Sequence, residues 1–170
     1  MMHPGRLHLS SAQSPAPAPS TSQFRVVAIG GGTGLPAVLS GLRGHALLSH
    51  SWGAHESRDA ITAIVTVTDD GGSSGRLCRE FGILPPGDVR NCLAALAPDG
   101  SSFTTLLQHR FTSGDGLDGH TVGNLMLAAL AEIDGDFVSA VDKMSDLLEC
   151  RGRVLPSSTD FEIAFLAVAR

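Results

Sequence analysis

Two short apolar runs, each leading straight into a polar, glycine-rich turn, constrain this chain more than any other feature. FRVVAI at 24–29 is short and rich in β-branched residues, and GGGTGL follows at 30–35. ITAIVTV at 61–67 repeats the arrangement ahead of TDDGGSSGR at 68–76. Continuous apolar runs of this length, ended by turn residues, read as strands buried on both faces, which belong to parallel sheets. A helical segment at 35–42 lies between them, so strand, helix, strand opens a parallel α/β fold. The expected architecture is a Rossmann-like three-layer sandwich with a mainly parallel sheet.

Beyond the second strand the pattern turns helical. Short helices are expected at 76–81 and 88–97, the second with Val89, Leu93 and Leu96 at helical spacing and Asp88 as its cap. Pro85 and Pro86 separate the two. Further helical patterns cover 103–110, 122–133 and 137–150, the last with Val138, Val141, Met144 and Leu148 on one face. Residues 1–23 contain SSAQSPAPAPSTSQ, which offers almost no apolar burial against the entropy of ordering. A disordered tail is expected there, followed by one domain over 24–170.

The balance of charge narrows the partners. A net charge of −5 argues against a nucleic-acid binder, which would gather basic residues on one face. Small molecules or proteins are the expected partners, with a homo-oligomer left open. Cys78, Cys92 and Cys150 are widely separated and lack metal-ligand spacing, so reduced, buried thiols are expected. No apolar stretch approaches the roughly 18 residues of a membrane span, and no signal-peptide core is visible, which places the expected location in the cytoplasm.

Four polar, glycine-rich segments carry the chemistry. In the first, Gly30, Gly31, Gly32, Thr33 and Gly34 stand between strand and helix, where backbone N–H groups and the helix dipole favour an anionic phosphate. The spacing is neither the dinucleotide fingerprint, since Leu35 replaces its third glycine, nor a Walker loop, since no lysine follows. In the second, Thr68, Asp69 and Asp70 supply a hydroxyl and two carboxylates suited to a ribose or a magnesium ion. Gly71, Gly72, Ser73, Ser74, Gly75 and Arg76 then form an amide-rich concavity at the carboxyl end of the strand, where open α/β sheets place their ligands. In the third, PPGDVRN at 85–91, Gly87 and Asp88 open a helix that bears Arg90 and Asn91, with the arginine suited to bidentate phosphate contact. In the fourth, GHTVGNL at 119–125, Gly119, His120, Gly123 and Asn124 stand at another helix entry. Each segment alone is also compatible with a structural turn, but one fold rarely needs four of them for packing.

GGSSG within the second segment formally matches a serine-hydrolase elbow with Ser73 as nucleophile, supported only loosely by Asp118 and His120. Several residues separate that serine from its strand, so no catalytic residue is assigned.

Taken in order, GGGTGL, TDDGGSSGR, ILPPGDVRNCL, GHTVGNL and the GRVLP at 152–156 resemble the YvcK branch of the YvcK/CofD-like proteins. The resemblance implies a Rossmann-like fold with a nucleotide-type pocket lined by these segments. It also implies a gluconeogenesis factor that binds UDP-N-acetylglucosamine and influences growth on gluconeogenic carbon sources and cell shape. The related CofD branch comprises 2-phospho-L-lactate transferases that work with magnesium, which makes a nucleotide-dependent transferase the alternative and magnesium its cofactor. Members of the family are longer, and their sheet continues after the counterpart of VLP. The fold is therefore expected to be incomplete at its C-terminal side, with apolar helix faces such as Leu125, Leu127 and Leu130 short of cover. A truncated fragment without function is the third reading.

Overall fold

A computed structural model of the chain describes residues 24–45, 60–69 and 71–160. Among these residues three strands and six helices follow in the order β1 (Val26–Gly30), α1 (Gly34–Arg43), β2 (Ile61–Val65), α2 (Gly72–Phe81), α3 (Pro86–Leu96), α4 (Ser102–Gln108), α5 (Val122–Asp134), α6 (Phe137–Leu147) and β3 (Arg153–Pro156). The strands form one sheet in the order β1-β2-β3. Both pairings are parallel, with Ala28 opposite Ala63 and Ala63 opposite Val154. The parallel α/β expectation therefore stands. The tail at 1–23 and the second carboxylate, Asp70, lie outside the described residues.

Periodicity decides which side of each element is buried. Ile61, Ala63 and Val65 alternate along β2 toward one face, and Val154 of β3 joins them there. Leu39 of α1, Val89, Leu93 and Leu96 of α3, Leu107 of α4, Leu127 of α5, and Val141 and Met144 of α6 are all buried in the same cluster. Local signals set the helix ends. Pro86 occupies the first turn of α3, where its missing N–H costs nothing. The Thr121 hydroxyl accepts from Asn124 N at the start of α5, and the Asp136 carboxylate from Ser139 N at the start of α6. That capping, through the Ser139 hydroxyl and amide, holds the Asp136 carboxyl below its usual range. Gly82 and Gly135 end α2 and α5 in the left-handed region. The Arg43 guanidinium, at the end of α1, donates to Ala97 O and to the Asp99 carboxylate, tying α1 to the end of α3.

Several sequence expectations are corrected. The first strand is covered on one face only, with Val27 59% and Ile29 71% exposed. Steps β1 to β2 to β3 proceed in one direction, so right-handed crossovers put the connecting helices on a single side of the sheet. Leu127 is fully buried, and Leu125 and Leu130 pack against the core, so these three faces of α5 are covered. Helix α2 begins at Gly72, four residues before the expected start, and Pro85, not Asp88, is the residue flanking α3.

Leu93→Ala should lower stability by about 2–5 kcal/mol, because a fully buried side chain leaves a cavity. Val27→Ser should change it by no more than about 0.5 kcal/mol, since that side chain is largely in water. Urea melts of the two variants beside the parent measure the contrast.

Candidate functional site

The four glycine-rich segments meet at the carboxyl edge of the sheet, and the first turn of α3 is where they are joined. The Asp88 carboxylate accepts a hydrogen bond from Gly32 N at 2.6 Å, linking the third segment to the first. Gly87 meets the second segment so closely that a Cβ there would collide with the Ser74 hydroxyl and come within 3.4 Å of Asp69 Oδ2. Gly123 meets Arg90 in the same way, since a Cβ would lie 2.8 Å from Arg90 Cδ and 2.6 Å from Leu107 Cγ. The second and fourth segments are joined by Ser73, whose Oγ lies 3.0 Å from His120 Nδ1 and accepts from Asn124 Nδ2 at 3.0 Å.

Residues of the site divide into a buried set and an outer set. Ser73, Ser74, Arg90, His120 and Asn124 are buried. Gly32, Thr33, Gly34, Thr68, Asp69, Gly71, Gly72 and Arg76 are exposed, while Gly30, Gly31, Asp88, Asn91 and Gly119 are half-buried. Gly75 and Gly87 are buried within the first turns of α2 and α3. Asp69 Oδ1 accepts from Gly71 N at 3.1 Å, which closes the turn into α2. Arg76 Nη2 donates to Asp118 O at 2.5 Å, bracing the fourth segment.

Arg90 is the least satisfied group. Its residue is 6% exposed, and its Nη2 donates to Asn91 Oδ1 at 2.7 Å. Its Nε and Nη1 are buried without a hydrogen-bond partner, as is Asn124 Oδ1. Burial, then the positive charge of Arg110, lower the Arg90 pKa, with Asp88 opposing. Burial and Asp88 push the Cys92 thiol, one turn further along α3, up to about 12, so it is inert as a nucleophile. Burial and then Arg76 lower the His120 pKa, with Glu80 opposing and Arg110 adding. His120 is therefore neutral near pH 7. With Asn124 donating to Ser73, the serine hydroxyl is free to donate to Nδ1 of that neutral ring.

Sequence reasoning missed Arg110 and Thr121. Arg110 Nη1 donates to Gly119 O at 2.6 Å, and Arg110 forms an antiparallel bridge with Thr121 that fixes the entry to α5. Nothing in the sequence marks this pairing, which spans an eleven-residue separation without a strand pattern. The hydrolase reading does not fit, because Ser73 lies inside α2 and is only 4% exposed. Among the described residues, no three His, Cys, Asp or Glu side chains form a cluster able to hold a metal.

A parallel sheet whose helix entries gather at its carboxyl edge defines a Rossmann-like α/β protein. Residues 26–169 match the family described as 2-phospho-L-lactate transferase CofD, and the chain belongs to that family. A Bacillus subtilis protein named gluconeogenesis factor is 51% identical over 134 residues, covering 79% of this chain and 38% of that relative. A Nostoc sp. relative is 54% identical over 134 residues, covering 79% of this chain and 27% of that relative. An X-ray structure of a Bacillus halodurans protein superposes with a TM-score of 0.69 at 48% identity, covering 81% of this chain and 40% of the other. The chain thus spans less than half the length of the relatives it matches. No described helix is long and apolar enough to cross a membrane.

Two substitutions probe the junctions. Gly123→Ala should destabilise the fold by about 1–3 kcal/mol through overpacking against Arg90 and Leu107, as read by a urea melt. His120 gives a pH signature. Its folded pKa lies below the ordinary 6.5, so its contribution to stability is complete above that value and is lost as pH falls through the folded value. The drop in urea midpoint between about pH 7.5 and 5.5 should accordingly be smaller in His120→Gln than in the parent.

Proposed function

We propose that the four joined segments hold the phosphates of a nucleotide-sugar, with UDP-N-acetylglucosamine as the ligand, and that the protein regulates gluconeogenic carbon metabolism and cell shape without turning its ligand over. The observation that carries the phosphate reading is Arg90: a buried cation near the start of α3 whose Nε and Nη1 lack acceptors, packed against Gly123 in the first turn of α5. A buried, unpaired charge is expensive, and an anion of phosphate geometry would satisfy both N–H groups at once. Helix N-termini add a favourable field for the same charge. Gly123 lies against Arg90, and Gly32 is tied to the same turn through Asp88, so the ligand on this reading would be held by Gly30, Gly31, Gly32, Thr33 and Gly34 on one side and by Gly119, His120, Gly123 and Asn124 on another. The choice of ligand and the regulatory role rest on the resemblance to the YvcK branch and on the names of the relatives. The absence of turnover is consistent with a serine that is buried and a thiol that is pushed out of its reactive range.

The family description favours one alternative, a 2-phospho-L-lactate transferase-like reaction requiring magnesium. Asp69 would then be the described carboxylate nearest the junction of the second and third segments. Titration calorimetry with UDP-N-acetylglucosamine, followed by product analysis, separates the readings. Binding without consumption is expected, and Arg90→Ala should weaken it by about 10- to 100-fold, the loss of a charge-assisted hydrogen bond or two. Undiminished affinity in Arg90→Ala would overturn the assignment of the phosphate centre. Turnover of a nucleotide-activated lactate derivative with magnesium, lost in Asp69→Asn, would establish the transferase.

A further inference from the structure

The far ends of α2 and α5 meet in a second cleft, remote from the site described above. Both helices start at the carboxyl edge of the sheet, α2 with Ser73 and α5 with Asn124 in the first turn. At about 1.5 Å of rise per residue they end roughly 15 and 20 Å away. There the turns that follow them, through Gly82 and Gly135, line a cleft of about 540 Å³, a volume within the range of about 300–1,000 Å³ that binding pockets occupy.

The cleft has an apolar floor and an acidic rim. Ile83, Leu84, Ala131 and Phe137 line it and are themselves buried. Glu80, Glu132 and Asp136 line it as well, and no Lys, Arg or His does. Neither Glu80 nor Glu132 has an ion-pair partner among the described residues. The Ser139 hydroxyl and amide hold the Asp136 carboxyl below its usual range, so it stays charged. The carbonyl ends of the α2 and α5 dipoles favour a cation at the same place. Charges of both signs are ordinarily interspersed over a soluble surface, and here one sign surrounds an apolar floor. Two large apolar side chains stand exposed beside it, Phe81 on the rim and Ile133 next to Glu132, at 45% and 75%. A metal ion does not suit the place, since among the described residues no three His, Cys, Asp or Glu side chains come together to hold one. A hydrated cation would also leave the apolar floor unused.

We propose that this cleft docks a basic, amphipathic segment of a partner protein, with a large apolar side chain against Ile83 and Phe137 and flanking arginines or lysines paired with Glu80, Glu132 and Asp136. The anchor supplies the affinity, and the charges orient the segment and reject acidic ones. Because the cleft lies at the opposite ends of α2 and α5, the partner leaves Gly32 and Arg90 uncovered and the phosphate centre open. The docking does not rest on the phosphate reading.

The test uses the 170-residue chain and a fluorescein-labelled peptide with two leucines between paired arginines, RRLLRR. Fluorescence anisotropy at physiological salt should show saturable binding. Affinity should be lower by about tenfold or more for RRSSRR, which keeps the charge without the anchor, and for EELLEE, which keeps the anchor and reverses the charge. Backbone amide shifts in NMR spectra should gather at residues 80–84 and 131–137 and leave 30–34 and 119–124 unmoved. Glu80→Lys/Glu132→Lys, at two exposed positions, should keep the circular dichroism melt within a few degrees of the parent and lose the binding. The peptide series decides the matter even where that variant melts early. Lack of saturable binding by RRLLRR overturns the proposal, as does equal affinity for RRSSRR, which would mean diffuse charge attraction. Binding that survives the charge reversal in a folded variant, or shifts centred elsewhere, overturns it too. Self-association in sedimentation, with the same amides shifting as the chain is concentrated, would assign the cleft to a second copy and overturn it equally.

Discussion

The first turn of α3 is the constraint on which the rest of the site depends. Within five residues it presents an absent side chain at Gly87, a carboxylate at Asp88 and a guanidinium at Arg90, and each is matched to a different neighbour. Gly87 allows α2 to approach, Asp88 holds the turn after β1, and Arg90 passes close to Gly123 at the start of α5. The turn can serve as this hub because the remainder of α3 is anchored in the core. Val89, Leu93 and Leu96 are fully buried, so a shift of the turn would have to displace a close-packed helix.

The polar groups and the apolar core therefore have different tasks. Burial of Leu39, Leu93, Leu107 and Leu127 supplies the drive to fold, at about 1.5–3 kcal/mol for each such side chain. The hydrogen bonds among Ser73, His120 and Asn124 add less net stability, because each replaces bonds to water. What they contribute is position. Asn124 is placed by its own backbone N–H, which is capped by Thr121, while its side chain reaches Ser73 on α2. A neutral His120 suits this arrangement, since burial and then the positive charge of Arg76 disfavour a protonated ring, with Arg110 adding to them.

Much of this was legible in the sequence, and the failures have specific causes. The motif segments announced themselves by composition, because glycine, serine and acidic residues in such density have few uses other than turns and anion sites. Helix α2 was misplaced for the same reason. Gly72, Ser73, Ser74 and Gly75 are poor helix formers, yet they are helical here because the buried contacts of Ser73 with α5 and of Ser74 with α3 outweigh propensity. The exposure of Val27 and Ile29 was invisible because an all-apolar run carries no alternation from which one face can be told from the other. Arg110 was missed because its partners, Gly119 and Thr121, are brought to it by a turn and not by any periodic pattern.

The electrostatic arrangement around Arg90 is the step that joins fold to function. A buried guanidinium is ordinarily found with a carboxylate facing it. Here the nearby acid, Asp88, gives an oxygen to Gly32 N, and the nearest charged group raising the cost of Arg90 is another arginine, Arg110. Arginine does not escape such a position by losing its proton, because its pKa lies too far above neutrality. The cost of burying Arg90 is therefore borne by the fold, through the packing of the α3 helix that carries it. A site that keeps a positive charge unsatisfied when empty gains most when an anion arrives, since the anion removes both the missing hydrogen bonds and the mutual repulsion of Arg90 and Arg110. On the proposed reading, affinity for phosphate and cost to stability are two sides of the same placement of Arg90.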